Sequence, residues 1–205
     1  MNYFLSRTGV NMHNFARDNI QDTSQPMTLY IVRHGQTEEN LERILQGHLP
    51  GKLTQEGRLQ VKRTAERLAQ EGTNFKCILT SDLRRAVDSA HILAERLHLP
   101  VIPMEILRER DWGNYTGLSL AEAKDKYKID GKWVFPDGSA ESEQEIYQRA
   151  RLALLRLWEQ YANDTVIVVT HGQFARNLIA AQLNCPCQEV VQFVNAEVRV
   201  LHFQM

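Results

Sequence analysis

Short apolar runs alternate with longer amphipathic segments along the chain. The runs at 29–32, 76–80 and 165–170 are rich in aliphatic and β-branched residues and predict buried strands. Each run is followed by a segment with helical spacing of apolar residues, as in the 86–97 segment after the second run. A strand followed by a helix, three times over, predicts an α/β fold with a parallel or mostly parallel sheet.

Other segments extend this pattern. Leu53 to Gly72 predicts a helix, with Thr54 as its N-cap and Gly72 as its stop. Further helices are predicted at 141–161 and 173–183, a short strand at 101–104, a loop at 107–117, and an edge strand in the alternating tail around 197–200. The Cys185-Pro186-Cys187 sequence predicts a turn rather than a redox or metal pair.

Residues 1–26 differ from the rest of the chain. They are rich in Asn, Gln, Asp, Ser and Thr, and they have neither clear periodicity nor an apolar core of signal-peptide length. Three interpretations stay open for this extension: a disordered segment, a misassigned start codon with Met27 as the true start, or an arm that docks on the domain surface. The catalytic domain is predicted to span 27–205.

Length and composition limit the number of domains and the kinds of partner that the chain can have. A chain of 205 residues with 43% hydrophobic content predicts one globular domain. A net charge of −1 gives no reason to expect nucleic acid as a partner. No apolar run is long enough to span a bilayer, so no membrane is expected. Three cysteines, without zinc spacing, favour a reducing compartment, and we expect the protein to be cytoplasmic.

Polar residues follow three of the predicted strands directly. They are Arg33-His34-Gly35, the segment 81–85, and His171-Gly172. In a parallel sheet the carboxyl ends of the strands lie at one edge, so these groups converge. Two arginines, two histidines and the N-termini of the following helices would form a concentrated positive site, suited to a phosphoryl group.

Four segments together support a family resemblance. RHGQTEEN (33–40), TSDLRRAVDSA (80–90), LRERDWGNYTG (107–117) and VVTHGQ (168–173) resemble, in order, the motifs of the histidine phosphatase superfamily, also called the phosphoglycerate mutase-like family. The resemblance spans essentially Thr28 to Phe203. It implies a three-layer α/β/α sandwich around a mostly parallel sheet, a phosphohistidine intermediate, and neither a metal nor another cofactor.

The resemblance also assigns residues. His34 matches the nucleophile, and Glu109 matches the proton donor. Arg33, Arg85 and His171 match the residues that bind the phosphate. Five further positions fall where the family contacts the phosphate or supports the residues that do: Gly35, Gln36, Thr37, Asn40 and Gly172. Without the family context, Glu109 belongs to a charged run that is equally typical of a solvated surface.

The sequence departs from the family pattern at two stretches, 48–52 and 138–142, and we expect these to alter substrate contacts. Ser89 stands where threonine is common. Arg85 is chosen over Arg84 because the motif places the phosphate ligand directly before the alanine. Trp112 and Trp133 are candidates for the pocket wall. The histidines outside the motifs are expected to be structural or exposed: His13, His48, His91, His98 and His202.

These residues predict a phosphatase that acts on a small phosphorylated metabolite, as a monomer or a homodimer. A cofactor-dependent phosphoglycerate mutase is the alternative, and a non-catalytic phosphate-binding module is a third hypothesis from a different class. Between Gly117 and Glu141 the chain is short and has no arginine-rich insertion of the kind associated with mutase substrate recognition. A shorter cap admits water, so hydrolysis is favoured.

Overall fold

A computed structural model describes residues 26–204. Five of its strands form the main sheet: β1 (Met27–Arg33), β2 (Ile78–Thr80), β3 (Val101–Pro103), β6 (Thr165–Thr170) and β7 (Val198–Phe203). Two short strands, β4 (Lys128–Ile129) and β5 (Lys132–Trp133), pair separately as a hairpin. The order in the main sheet is β3-β2-β6-β1-β7. The first four strands are parallel and β7 is antiparallel to β1, so the predicted edge strand is confirmed.

The helices cover both faces of this sheet. They are α1 (Glu38–Leu41), α2 (Gln55–Gln70), α3 (Arg84–Leu97), α4 (Leu120–Tyr127), α5 (Glu143–Tyr161) and α6 (Gly172–Leu183). Successive side chains of β6 point to opposite faces of the sheet, and their contacts show which helices cover each face. Val166 and Val168 pack with α5 and α6, whereas Ile167 and Val169 pack with α2 and α3. The three-layer α/β/α sandwich is therefore confirmed.

Local signals fix the ends of the longer helices. The Thr54 hydroxyl accepts the N–H of Gly57 at 2.9 Å and caps α2, as predicted. Ser142 and Glu145 form a reciprocal capping box at the start of α5. After α6, Asn184 adopts a left-handed conformation, and the chain turns through 185–187 as expected.

A small cap lies above the carboxyl edge of the sheet, and the helix and hairpin that form it were not predicted. It contains α4, the β4-β5 hairpin and a 3-10 turn at Gly113–Tyr115 inside the predicted loop. Its core is an aromatic cluster comprising Trp112, Tyr115, Tyr127, Trp133 and Phe135. Helix α4 buries only Ala123, so its sequence has almost no apolar stripe to detect.

The predictions about the N-terminal extension and His13 concern residues outside the described range. Within 26–204, none of the helices combines the length and apolarity needed to cross a membrane.

Candidate active site

The polar strand ends do converge. Arg33 ends β1 opposite Thr170 of β6, so His34 and His171 follow side by side at one edge of the sheet. Their ring centroids are 5.2 Å apart. A cavity of about 680 Å³ opens there, between the sheet edge and the cap. Its wall includes Arg33, His34, Arg85, Glu109 and Gly172.

His34 is buried and held in one tautomer. It is 2% exposed, and its Nδ1 lies 2.7 Å from the carbonyl oxygen of Gly35. A carbonyl only accepts hydrogen bonds, so Nδ1 carries the proton and Nε2 keeps its lone pair. Burial lowers the pKa of His34 well below its ordinary value, and the nearby Arg85 and Arg33 guanidinium groups lower it further. The ring is therefore neutral at pH 7, with an unprotonated Nε2.

Arg85 lies beside that nitrogen. Its Nε donates to His34 Nε2 at 3.3 Å, and its two terminal nitrogens donate to the carbonyl oxygens of Leu49 and Gly47. Burial lowers the pKa of Arg85, yet guanidinium basicity is high enough for the group to stay charged. Ser89, one turn along α3, donates to the Arg85 carbonyl and accepts the N–H of Gly35. The hydroxyl thus links the backbone of Arg85 to the loop that follows His34.

Two buried donors near His34 have no partner within 26–204: Arg33 Nε and His171 Nδ1. His171 Nε2 is 2.8 Å from the hydroxyl of Ser81, which also accepts the N–H of Leu83. A hydroxyl that accepts from Leu83 can donate to Nε2, and this arrangement leaves the proton on Nδ1. Burial, and then Arg85, lowers the pKa of His171 well below its ordinary value. Unpaired buried donors are costly, and an anion would satisfy them.

Glu109 lies in the wall of the same cavity, at the N-terminus of α6. Its Oε1 accepts the N–H groups of Phe174 and Arg110, both at 3.0 Å. Its Oε2 accepts the N–H of Gln173 at 3.2 Å. A carboxylate at a helix N-terminus is favoured by the free N–H groups and the helix dipole. The carboxyl group that the resemblance assigned as the proton donor is thus oriented by three backbone donors.

The five supporting residues have different positions. Asn40 and Gly172 line the cavity. Gly35, Gln36 and Thr37 do not line it. Thr37 caps α1 together with Asn40, and the Gln36 side chain accepts from Thr54 at 3.0 Å. Thr37 and Gln36 stabilise the loop that follows His34, and direct phosphate contact by either of them stays a prediction.

Asn195 and Gln46 are among the polar residues of the cavity wall that the sequence reasoning missed. Asn195 donates to the His34 carbonyl at 3.2 Å and to Asn40 Oδ1 at 3.1 Å. Gln46 is 8% exposed, and its Oε1 has no partner within the described chain. Neither residue lies in a periodic segment, so nothing in the pattern signalled them. Trp112 and Trp133 also line the cavity, as proposed for the pocket wall.

The two divergent stretches, 48–52 and 138–142, do not line the cavity. Their effect on it is indirect. Pro50 accepts the N–H of Arg85, and Glu141 bonds the loop that carries Glu109. His48 is half-buried and donates to the Glu109 carbonyl at 3.0 Å, whereas the other non-motif histidines of the described chain are exposed: His91, His98 and His202.

Five further cations surround the outer part of the cavity: Arg43, Arg110, Lys124, Lys128 and Arg176. Its acidic residues are Glu109 and Glu143. The cavity is thus strongly cationic in a chain whose net charge is −1. Within 26–204 there is no cluster of three or more His, Cys, Asp or Glu side chains placed to hold a metal ion. Metal independence itself stays a prediction.

Comparison with known proteins agrees with this geometry. The family profile of the histidine phosphatase superfamily (branch 1) matches residues 29–205. Phosphoglycerate mutase-like protein 4 of Arabidopsis thaliana is 34% identical over 181 residues, which cover 84% of this chain and 77% of the relative. The 2,3-bisphosphoglycerate-dependent phosphoglycerate mutase of Brucella ovis is 33% identical over 165 residues, covering 75% of this chain and 80% of that protein.

A solved structure shares the fold. Mycobacterial glucosyl-3-phosphoglycerate phosphatase, solved as a complex with VO3, superposes with a TM-score of 0.73 at 30% identity. The match covers 84% of this chain and 90% of that one. The order of the motifs, the convergence of His34, Arg33, Arg85 and His171, and the family match lead to one conclusion: the chain belongs to the histidine phosphatase superfamily.

Proposed function

We propose that the protein is a phosphatase that hydrolyses a small phosphomonoester through a phosphohistidine on His34. The observation that carries this proposal is the pairing of Gly35 with Nδ1, which leaves a buried, unprotonated Nε2 beside Arg85. A neutral imidazole nitrogen can attack phosphorus, and the cations around it would stabilise the charge of the transferring group. The phosphatases and the mutases among the relatives both handle phosphoryl groups.

The reaction follows from these positions. Nε2 of His34 attacks phosphorus in line with the ester oxygen, while Arg33, Arg85 and His171 bind the equatorial oxygens. The phosphorus–oxygen bond to the leaving group breaks, and Glu109 gives its proton to the departing alkoxide. Water then attacks the phosphohistidine, and the ionised Glu109 takes a proton from it. Inorganic phosphate leaves, and both residues return to their starting states.

In this scheme Glu109 is protonated at the start of the first step and ionised at its end. Once the leaving group has taken that proton, the carboxylate is ready to act as a base. The fixed charges of Arg33 and Arg85 stabilise the charge on the transferring group, so the scheme requires no metal ion.

The cationic outer wall supports a narrower substrate class. Arg33 and Arg85 already match the two charges of a phosphate dianion. Arg43, Lys124 and Lys128 are exposed at the rim and take part in none of the ion pairs found within 26–204. We therefore propose a substrate with a second anionic group, such as a carboxylate or another phosphate. Glucosyl-3-phosphoglycerate and bisphosphoglycerate, after which two relatives are named, have this chemistry.

A matched pair of lysines on the cap tests the second anion. Lys124→Gln should raise KM for phosphoserine and 3-phosphoglycerate, by about tenfold for a charge-assisted contact. The KM for p-nitrophenyl phosphate should stay nearly unchanged. Lys126→Gln is the control, because Lys126 lies on the same helix but pairs with Glu122 at 2.8 Å and does not line the cavity. Equal effects of the two substitutions would contradict the second-anion site.

The principal test is direct. Purified protein should hydrolyse p-nitrophenyl phosphate in excess EDTA and form an acid-labile phosphoenzyme when quenched. His34→Ala should lose both properties, and His91→Ala, an exposed histidine on α3, should keep them. Hydrolysis that survives His34→Ala would refute the mechanism. Phosphate binding without turnover on any phosphomonoester would favour the non-catalytic module.

The mutase alternative rests on the cationic rim, which would also hold a phosphoglycerate carboxylate during transfer. A single-turnover experiment separates the two functions. The phosphoenzyme, labelled on phosphate, is mixed with 3-phosphoglycerate, and the label is followed. We expect it in inorganic phosphate, because the short cap leaves the site open to water. Label recovered mainly in bisphosphoglycerate would establish a mutase instead.

A further inference from the structure

One arginine outside the cavity holds the loop that carries Glu109. Arg149 lies on α5 and is absent from the cavity wall, so substrate does not touch it. Its side chain is 22% exposed and borders a separate surface cleft behind the loop. A guanidinium group has five N–H donors in a fixed plane. In Arg149 all five donate hydrogen bonds.

The five hydrogen bonds divide into two sets. Nε and Nη2 bind the two carboxylate oxygens of Glu141 at 2.8 and 2.7 Å, a bidentate pair. Nη1 donates to the carbonyl oxygens of Ile106 and Arg108 at 3.0 and 2.8 Å. Nη2 also donates to the carbonyl oxygen of Glu109 at 3.2 Å. The arginine therefore fixes three carbonyl groups of the 106–109 segment while Glu141 fixes the arginine.

The Arg149 guanidinium also contacts Phe174, a residue that binds the side chain of Glu109. Its carbon lies 4.4 Å from the ring centroid of Phe174, the residue whose N–H binds the Glu109 carboxylate. The backbone of Glu109 and one of its carboxylate donors are thus held by a single group. His48 completes the arrangement by donating to the same Glu109 carbonyl. Glu141 in turn bonds Asp111, two residues beyond the proton donor.

We propose that Arg149 is a positioning residue for general acid catalysis: it sets the place of the Glu109 carboxyl group without contact with substrate. This inference rests on the proposed function of Glu109. A misplacement of about 1 Å in a proton donor is enough to lose much of its effect, and general acids typically contribute about 10²–10⁴-fold. Arg33, Arg85 and His171 lie on other elements, and none of them is a hydrogen-bond partner of Arg149.

Leaving-group dependence separates this role from general support of the fold. A 2,4-dinitrophenolate leaves without help, whereas an alkoxide or phenolate needs a proton. Arg149→Met should lower kcat/KM for phenyl phosphate and glycerol 2-phosphate by about 10- to 100-fold, part of the general acid contribution, while 2,4-dinitrophenyl phosphate changes little. Glu109→Gln should show the same selectivity. In the Glu109→Gln background, Arg149→Met should have almost no further effect.

Arg156→Met is the matched control. Arg156 lies on the same helix, borders the same cleft and is exposed, and no side-chain hydrogen bond of the described chain involves it. It should behave as the wild type on every ester. Equal losses on all esters after Arg149→Met would mean that the arginine supports the fold or the phosphate site, and would overturn the proposal. No loss on any ester would overturn it as well.

A second measurement does not depend on activity. In Arg149→Lys, which keeps the charge but not the planar fork, the amides of Arg110, Gln173 and Phe174 should exchange hydrogen faster. These amides donate to the Glu109 carboxylate. Arg156→Lys should leave them unchanged. Unchanged exchange of these amides in Arg149→Lys would refute the positioning role. A wild-type protein without phosphatase activity would instead refute the proposed function of Glu109. The exchange rates would then still show whether Arg149 holds the Glu109 loop.

Discussion

The two buried histidines predict a specific loss of stability in mild acid. His34 and His171 are 2% and 0% exposed, and burial together with nearby guanidinium groups lowers the pKa of both. In the unfolded chain each should titrate with a pKa near about 6.5. Below that pH the unfolded state binds more protons than the folded state. The free energy of unfolding therefore falls as pH falls from about 6.5 toward the lower folded-state values.

The magnitude follows from linkage. Between about pH 7.5 and about pH 5.5, one histidine that stays neutral when folded removes about 1.4 kcal/mol of stability. Two such histidines remove about 2.7 kcal/mol, a large share of the roughly 5–15 kcal/mol that is typical of a domain. The contribution is fully present above about pH 6.5, so the protein should be most stable on the neutral to alkaline side of that value.

Urea denaturation at several pH values measures this effect. Carboxylates also titrate in this range, but they are common to all variants and cancel when variants are compared. His171→Gln should reduce the loss between about pH 7.5 and about pH 5.5 by about 1.4 kcal/mol relative to the wild type. His91→Gln, at an exposed site, should leave the profile unchanged. Parallel pH profiles for the wild type and His171→Gln would refute the reasoning that His171 is buried in its neutral form.

Other substitutions test the packing around the loop that carries His34. Gly35→Ala should cost about 1–3 kcal/mol in thermal or urea unfolding, because its Cβ would lie 2.4 Å from the carbonyl oxygen of Gly57. Gly172→Ala should change stability by less than about 0.5 kcal/mol, since its Cβ would meet no atom closer than 3.5 Å; similar costs for the two would contradict the close approach of Gly57 to Gly35. Ser89→Ala should cost about 1–3 kcal/mol because the buried N–H of Gly35 loses its acceptor, whereas a neutral result would show that another group replaces the hydroxyl. Asn195→Ala should lower the free energy of unfolding by about 1 kcal/mol, because its hydrogen bonds to His34 and Asn40 are lost. An unchanged unfolding midpoint would show that water replaces these bonds.

The sequence pattern predicted an α/β fold with a mostly parallel sheet because its elements bury continuous apolar surface, and the family resemblance implied the three-layer sandwich. The apolar stripe of the 141–161 segment predicts a core face made of Ile146, Ala150, Leu154, Leu157 and Tyr161. In the structure the first four are buried, and Tyr161 is partly buried against the same core. The strand ends could be placed together because parallel strands share one carboxyl edge. That rule, together with the family motifs, was enough to predict that His34 and His171 lie close together.

The cap and the outer wall could not be predicted in the same way. Helix α4 buries one residue, and the β4-β5 strands have two residues each, too few to establish a period. Asn195 contacts His34 across 161 positions of sequence, and Arg149 contacts Glu109 across 40. Such partners are fixed by tertiary packing, which leaves no local signal in the chain.

The contacts of Arg85 have a consequence for how this site can change in evolution. The arginine holds the loop after Gln46 through main-chain oxygens, at Gly47 and Leu49, and receives support from the main chain at Pro50. Because main-chain atoms make these bonds, the side chains at 48–50 and 52 can be exchanged without loss of the bonds to Arg85, provided that the backbone keeps its path. Gly51 is the exception, since its φ is +67° and a Cβ there would lie 2.9 Å from Cδ of Arg85. The position of Arg85 therefore does not depend on the side chains at 48–50 and 52, so these four positions can change in sequence while the arginine stays in place.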